Sequence, residues 1–341
     1  MQKILSSRIP YIDALRGFAI LLVIAGHVIQ TLYGTDGLVF RYIYSFHMPL
    51  FMFLSGFVSY KIETWKSVGK RFLQLIIPFF CYNVITFFSA GFSGISLRDF
   101  VEFNLRIILR PDLGLWFLWV LFFIHTLFIC CRKAAKALQI DERIIVLVVL
   151  GGLNLVELIT RTDFLGFHWI AWYFIFFSAG VYIRPFSQME HVSLDRDLLI
   201  GSAILFPVCA YFFRLQNYIT PPLRILQNID FGPYFPIFYR LWVAVLGIIL
   251  FYEIFKRTEA MGASKTLIAL GRETLGLYFV HCLIINLTIA PFVDRMGLIP
   301  KGGAVVVGIV LTAVSYLIVK FLRRNRLSRL LVLGDYSFCK K

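Results

Sequence analysis

Gly17-Phe18-Ala19-Ile20-Leu21-Leu22-Val23-Ile24-Ala25-Gly26-His27-Val28-Ile29-Gln30-Thr31-Leu32-Tyr33 decides the fold class. It is apolar over most of the length that a bilayer core about 30 Å thick demands, about 20 residues of helix. It is long for a signal-peptide core, lacks a convincing small-residue cleavage site and contains a histidine, so it is expected to stay in the mature protein. Outward from it, similar stretches recur, and the approximate candidate spans are 17–33, 43–60, 72–91, 115–131, 144–160, 168–184, 198–213, 237–255, 274–292 and 303–322. The expected fold is all-α, a polytopic membrane protein with about ten transmembrane helices.

Composition agrees with that reading. Hydrophobic residues make up 59% of the 341 and charged residues 16%, with a mean hydropathy of +0.80, where a soluble domain carries about 25% charged residues. The net charge of +15 does not call for nucleic acid. With a cytoplasmic N-terminus, 24 of the 34 Lys and Arg fall on the inner side, as the positive-inside rule requires. Both termini are therefore expected in the cytoplasm, with the bilayer as the partner of the whole chain and the inner membrane as its place. Cys81, Cys130, Cys209 and Cys282 lie in apolar runs, Cys131 borders one and Cys339 sits in the tail, a spacing that indicates neither a disulfide framework nor a metal site. No loop exceeds roughly 25 residues and no repeat or linker is visible, so residues 1–341 read as one membrane-embedded domain with short tails. The longest outside segments, Phe92 to Gly114 and Arg214 to Pro236 with its Thr220-Pro221-Pro222 turn, read equally well as caps over a groove and as plain connectors.

Chemistry concentrates at the first span. Arg16 and His27 are eleven positions apart, which on a helix is three turns plus roughly 20° and a rise of about 16 Å. Both side chains share a face, Arg16 at the membrane edge and His27 deep inside, where ionisable groups face a polar cavity or a partner. The spacing suits a long ligand, anionic at one end and reactive at the other, such as coenzyme A with its phosphates, pantetheine arm and thioester. Arginine forks phosphate, and an imidazole can take a hydroxyl proton near neutral pH. The plainer alternatives are a structural histidine and a topology-setting arginine.

Arg16, ten residues, then His27, set in Asp13-Ala14-Leu15-Arg16-Gly17-Phe18-Ala19-Ile20, resembles the N-terminal signature of the acyltransferase 3 family of integral membrane acyltransferases. Ser45-Phe46-His47-Met48-Pro49-Leu50-Phe51-Met52-Phe53-Leu54-Ser55-Gly56 is similar to the family's second block in its fucose 4-O-acetylase-like version. Further similarity lies at Leu115-Trp116-Phe117-Leu118-Trp119, Phe176-Phe177-Ser178-Ala179-Gly180 and Thr274-Leu275-Gly276-Leu277-Tyr278-Phe279-Val280-His281. The resemblance spans nearly the whole chain. It implies that His27 is catalytic, that Arg16 contacts coenzyme A, and that acetyl is the commonest donor group. Some relatives carry an added esterase-like domain; on this reading any second transfer step here falls to a separate protein.

Other polar residues extend the expected site. His47 enters the second span at nearly the depth of His27 and is a second catalytic candidate, with an interfacial role as the alternative; Pro49 would open the first turn there. Glu157 could orient His27 or bind a sugar hydroxyl, an ion pair with Arg161 being the plainer reading. Asn154 lies one turn earlier on nearly the same face. Lys70 and Arg71 are candidates, beside Arg16, for coenzyme A phosphates. Arg110, Trp116 and Trp119 are candidates for the acceptor, with Arg106, Asp112, Trp169 and Trp172 near them, although solvated charge and an interfacial aromatic belt also explain these residues. His125 and His281 are expected to hydrogen-bond between helices.

The expected activity is membrane O-acyl transfer, most often of acetyl, from cytoplasmic acyl-coenzyme A to a hydroxyl of a surface glycan or lipid-linked precursor, with His27 as general base and no metal. An acyl-histidine intermediate or a relay to an outer acceptor remains open, as does a homo-oligomeric or envelope partner. The alternative from another class is a glycan-precursor transporter or flippase, against which the lack of two related halves speaks.

Overall fold

The computed structural model describes residues 9–61, 64–89, 96–186, 196–214, 235–258, 264–291 and 302–336. The Thr220-Pro221-Pro222 turn and Cys339 lie outside them. Regular structure among the described residues is helical: α1 (Pro10–Tyr33), α2 (Leu38–Tyr44), α3 (His47–Val58), α4 (Trp65–Arg71), α5 (Ile77–Ser89), α6 (Leu97–Leu109), α7 (Trp116–Leu138), α8 (Glu142–Thr160), α9 (Phe167–Phe186), α10 (Arg196–Phe212), α11 (Phe235–Thr258), α12 (Lys265–Arg272), α13 (Thr274–Ile284), α14 (Gly303–Leu322) and α15 (Arg326–Leu331). Without water in the hydrocarbon core each backbone amide must find its partner inside its own segment, and helices do this.

Eight helical stretches of described residues are long and apolar enough to cross a membrane, and a ninth is if α12 and α13 with its π-helical end, bent by 78°, count as one span. The chain is a multi-pass, all-α membrane protein. The expected span at 198–213 falls on α10, whose 17 described residues reach about 25 Å. The second and third expected spans are longer than anticipated, Leu38–Val58 and Trp65–Ser89, and both are interrupted.

The interruptions have local causes. Between α2 and α3 the chain turns at Ser45-Phe46, where Ser45 Oγ donates to Tyr42 O at 2.9 Å. Pro49, third residue of α3, has no N–H to return to Ser45 O. Between α4 and α5 residues Phe72–Ile76 form a π-helical turn, just ahead of Pro78, which cannot donate to Gln74 O.

The described chain divides into two compact units. The first takes residues up to Leu54, Pro185–Tyr278 and Thr288–Tyr316. Its core holds Phe18, Phe46, Phe206 and Phe251, with Phe46 stacked on Phe251 at 4.7 Å and edge-on to Phe206 at 5.1 Å. Here α1 and α12 touch backbone to backbone. A Cβ on Gly17 would strike the Leu267 carbonyl, and one on Gly271 the Asp13 carbonyl, the small-residue contact by which membrane helices associate. Across that contact Arg272 Nε meets Asp13 Oδ2 at 3.4 Å.

The second unit takes Ser55–Arg184, Phe279–Leu287 and the chain from Leu317. Gly56 plays the corresponding part here, bringing the end of α3 against the Phe177 carbonyl of α9. The segment before Gly114, left open between cap and connector, contains the amphipathic helix α6. It begins with a capping box: Asp99 Oδ2 accepts from the Ser96 N–H and hydroxyl at 2.9 and 2.8 Å, and Ser96 Oγ accepts from the Asp99 N–H at 3.2 Å. Phe100 and Phe103 turn inward onto Phe87, each at 5.2 Å, while Leu97, Val101 and Leu105 stay exposed. An exposed apolar stripe at that spacing belongs in a lipid interface.

Gly271→Ala is expected to cost about 1–3 kcal/mol by overpacking and to lower the detergent unfolding temperature by several degrees. Gly152→Ala, with nothing within 4 Å of its added carbon, is expected to be neutral or to stabilise slightly. The Ser96 hydrogen bonds hold the Asp99 carboxyl below the usual carboxylate range, so that contribution is complete above the unfolded value and fades as pH falls through the lower folded value. Amide protection in the first turn of α6, read by hydrogen exchange, should therefore drop below about pH 4, and Ser96→Ala should show the same loosening at neutral pH.

Candidate functional site

In the first unit, α1 runs unbroken from Pro10 to Tyr33 and carries Arg16 and His27 on one face, as the eleven-residue spacing demands. Arg16 donates from a terminal nitrogen to Thr274 Oγ1 at 3.0 Å, at the bend where α13 begins. The His27 ring lies 6.5 Å from that of Tyr278. Thr274 and Tyr278 are one turn, about 6 Å, apart. The guanidinium and the His27 ring therefore approach the same helix, α13, about one turn apart along it.

His47 opens α3 and is buried. Its Nδ1 lies 2.7 Å from Ile43 O. A carbonyl oxygen only accepts, so Nδ1 carries the proton and Nε2 of the neutral ring is left with its lone pair. The same carbonyl, at the break between α2 and α3, also accepts the Phe46 N–H at 3.4 Å. His27 lies within electrostatic reach of His47, so the first unit brings these two histidines together, while Arg16 on the same helix meets Thr274.

Tyr44 joins these parts and was not singled out from sequence. Its hydroxyl donates to Gln30 Oε1 at 2.6 Å, its ring meets His47 edge-on at 4.7 Å, and the missing side chain of Gly26 makes room for it, since a Cβ there would lie 2.9 Å from Tyr44 Cε2. One aromatic ring thus fixes α1, beside His27, against the turn that presents His47. The available signal was Gly26 directly before His27.

The second unit holds the remaining expected site residues, and they fall in separate places. Arg71 donates to Ser59 Oγ at 3.1 Å and Gln74 Oε1 at 3.2 Å, whereas Lys70 is exposed. Glu157 is held by a residue other than the one expected: its carboxylate accepts from His168 Nδ1 at 2.8 Å, while Arg161 leaves the helix with φ +46 and uses its backbone N–H on Glu157 O. Asn154 bonds back to Leu150 O at 2.8 Å.

Arg110 pairs with Asp112 at 3.3 Å on the surface. Trp116 stacks on Trp169 at 4.9 Å and on Tyr173 at 5.5 Å, a flat aromatic platform of the kind that sugar rings and interfacial lipid both favour. Trp119 has turned inward: it is 7% exposed, and its Nε1 donates to Leu165 O at 3.0 Å. His125 is buried with its ring edge-on to Phe177 at 6.0 Å, and its Nε2 has no hydrogen-bond partner, in place of the interhelical bond expected. Asn83, also buried, leaves both amide atoms unbonded; Tyr82 beside it accepts from Asn286 Nδ2 at 2.5 Å.

These features define a class, multi-pass helical membrane proteins with histidine and arginine held at depth. Within it the chain belongs to the acyltransferase 3 family, whose profile, described as an acyltransferase domain, matches residues 9–320. Among curated proteins it is similar to nodulation protein NolL of Sinorhizobium fredii (strain NBRC 101917 / NGR234), 31% identical over 169 residues that cover 44% of each chain. It is also similar to nodulation protein NolL of Mesorhizobium japonicum (strain LMG 29417 / CECT 9101 / MAFF 303099), 39% identical over 124 residues that cover 32% of each. The matches thus span less than half the length of either relative. No solved structure matches the chain.

Truncating Tyr44 to Ala is expected to cost about 2–4 kcal/mol from the lost packing. Tyr44→Phe, which gives up only the bond to Gln30, should cost no more than about 1 kcal/mol. Thermal unfolding of the two purified variants in detergent measures the difference.

Proposed function

We propose that this protein is an O-acyltransferase that carries an acyl group, most often acetyl, from cytoplasmic acyl-coenzyme A to a hydroxyl of a cell-surface glycan or its lipid-linked precursor. It acts as one acyltransferase domain of the inner membrane, with both termini in the cytoplasm. The observation that carries the reading is the α1 face: a guanidinium bonded to Thr274 and a histidine beside Tyr278, both facing α13, in a chain whose family is defined by acyl transfer.

Arg16 holds an anionic or carbonyl group of the donor, and the thioester lies near His27. His27 removes the proton as the acceptor oxygen attacks the thioester carbonyl carbon. The C–S bond then breaks, and the coenzyme A thiolate takes up the proton that His27 received. His47, with its proton fixed on Nδ1 by Ile43 O, offers its Nε2 to the acceptor hydroxyl and orients it. Arg71, with Lys70 at the solvent edge, supports the donor's phosphates. The Trp116 platform, with Arg110 and Glu157 as outlying polar contacts and Trp119 as its inner prop, receives the sugar. The family supports this enzymatic reading over transport of a glycan precursor.

Purified protein in liposomes, given acetyl-coenzyme A and an envelope glycan extract, should release thiol only when both are present. His27→Ala should lower the rate by about 10²–10⁴-fold, the usual worth of a general base. Arg16→Ala should raise KM for acetyl-coenzyme A about tenfold or more, the loss of one charged hydrogen bond. Undiminished release by the His27 variant would overturn the assignment.

A further inference from the structure

We infer that a slot between α7, α8 and the start of α9 holds the hydrocarbon chain of a lipid-linked sugar, so that the acceptor meets the protein as a glycolipid within the membrane. This inference rests on the O-acyl-transfer reading and narrows its acceptor to the lipid-linked class. The slot has a volume of about 360 Å³ and is walled by Phe123 of α7, Val156 and Thr160 of α8, Thr162 and Leu165 of the link that follows, and Ile170 of α9, all in the second unit. The link becomes a wall because Arg161, Leu165 and Gly166 turn it at φ +46, +54 and +73. The two hydroxyls in the wall are spent on backbone: Thr160 donates to Val156 O at 2.8 Å, and Thr162 Oγ1 accepts the Phe164 N–H at 3.2 Å. A water molecule needs roughly two to four polar partners to settle in a cavity, and an apolar one stays dry or takes a hydrocarbon.

The slot opens toward lipid. Val146 is the one buried residue of α8, and Val156 and Phe164 in the slot's wall are 46% and 57% exposed. The opening is therefore continuous with the face that this membrane-crossing helix turns to the bilayer, where a chain enters without first leaving hydrocarbon.

What stands beside the slot favours a sugar-bearing lipid over bulk phospholipid. The Trp119 ring lies 5.0 Å from that of Phe123, and its indole N–H is bonded to Leu165 O, so the slot and the aromatic platform are held by one residue. One turn earlier on α7, Trp116 stacks on Trp169 at 4.9 Å, and Ile170 is the next residue after Trp169. Glu157 follows Val156 and His168 precedes Trp169, and their bond at 2.8 Å sets a partly exposed carboxylate and imidazole next to slot and platform alike. A molecule that meets all three features has a ring for the aromatic faces, hydroxyls for the polar pair and a chain for the slot. A phospholipid offers only the chain.

The test needs no acyl donor. A hexadecyl glucoside and a phosphatidylcholine, each with a diazirine midway along an equal chain, are placed at the same mole fraction in liposomes that hold the full-length protein, and the cross-linked peptides are mapped by mass spectrometry. The glucoside should mark α8 near Val156 and the start of α9 several-fold more than the phospholipid does. Val156→Trp, which fills the slot from a half-exposed position, should lower that labelling about tenfold, the worth of roughly a dozen lost carbon contacts. If it does not fold, Val156→Phe decides by the same direction. Equal labelling by the phospholipid assigns the slot to bulk lipid, labelling of the slot by neither probe assigns it to another protein surface, and labelling that the filled slot leaves unchanged places the chain elsewhere; each overturns the inference. Thiol release from acetyl-coenzyme A with envelope glycan extract, measured on the same liposomes, separates the two readings. Release without slot labelling overturns the lipid-linked acceptor alone, and slot labelling without release overturns acyl transfer alone.

Discussion

The absence of water in the bilayer core governs this structure. Each backbone N–H and C=O there must be bonded within its own helix, and a place where the ladder fails is expensive unless something else takes the orphaned group. The interruptions described above coincide with polar residues. The break between α2 and α3 lends Ile43 O to His47. The bend between α12 and α13 brings Thr274 to Arg16. The π-turn after Arg71 ends just before Pro78, and the Gly334 backbone packs against its Gln74 carbonyl. Irregular backbone at membrane depth and ionisable side chains thus occur as one device: the break supplies groups that fix the side chain, and the side chain or a neighbouring backbone repays the break.

Rigid placement follows from small residues at the helix contacts. Gly17 and Gly271 let α1 and α12 meet backbone to backbone, which sets the bend carrying Thr274 against Arg16. Gly26 admits Tyr44, and Tyr44 carries His47 on its ring. In the second unit Gly56 lets α3 meet α9, so that Arg184 lies over Phe57 and Tyr60. Each glycine contributes less through flexibility than through the absence of a Cβ at a surface where any carbon would push helices apart. These glycines fall inside or beside the sequence blocks that resemble the family's, which gives those blocks a packing reason as well as a chemical one.

Much of this was legible in the chain. Span positions followed from apolar length, and the shared face of Arg16 and His27 followed from helical geometry. The proximity of His47 to His27 followed from their similar depths. Other features were hidden for definite reasons. The helix α6 was masked by its charges, although Ser96-Leu97-Arg98-Asp99 is a capping-box pattern ahead of an apolar periodicity. Glu157 faced two plausible cations, and spacing on its own helix favoured Arg161; the short turn at Leu165 brings His168 back instead. Trp119 read as a surface aromatic because its neighbour Trp116 is one. Three residues on, helical rotation carries it to the inward side, where its indole N–H needs the Leu165 carbonyl. Arg184 was not singled out, because no pattern along the sequence reveals that Phe57 and Tyr60 lie beneath it.

The central claim is that His27 moves the proton while an acyl group leaves coenzyme A for a glycan hydroxyl. The most direct measurement supplies isotope-labelled acetyl-coenzyme A to the side of membrane vesicles that exposes the chain termini and follows the label into the glycan fraction by mass spectrometry. The account predicts labelled O-acetyl ester in the glycan with wild-type protein and its loss with His27→Ala at equal protein abundance. Label reaching the glycan equally well through the His27 variant, or never leaving coenzyme A with folded wild-type protein and glycan present, would contradict it.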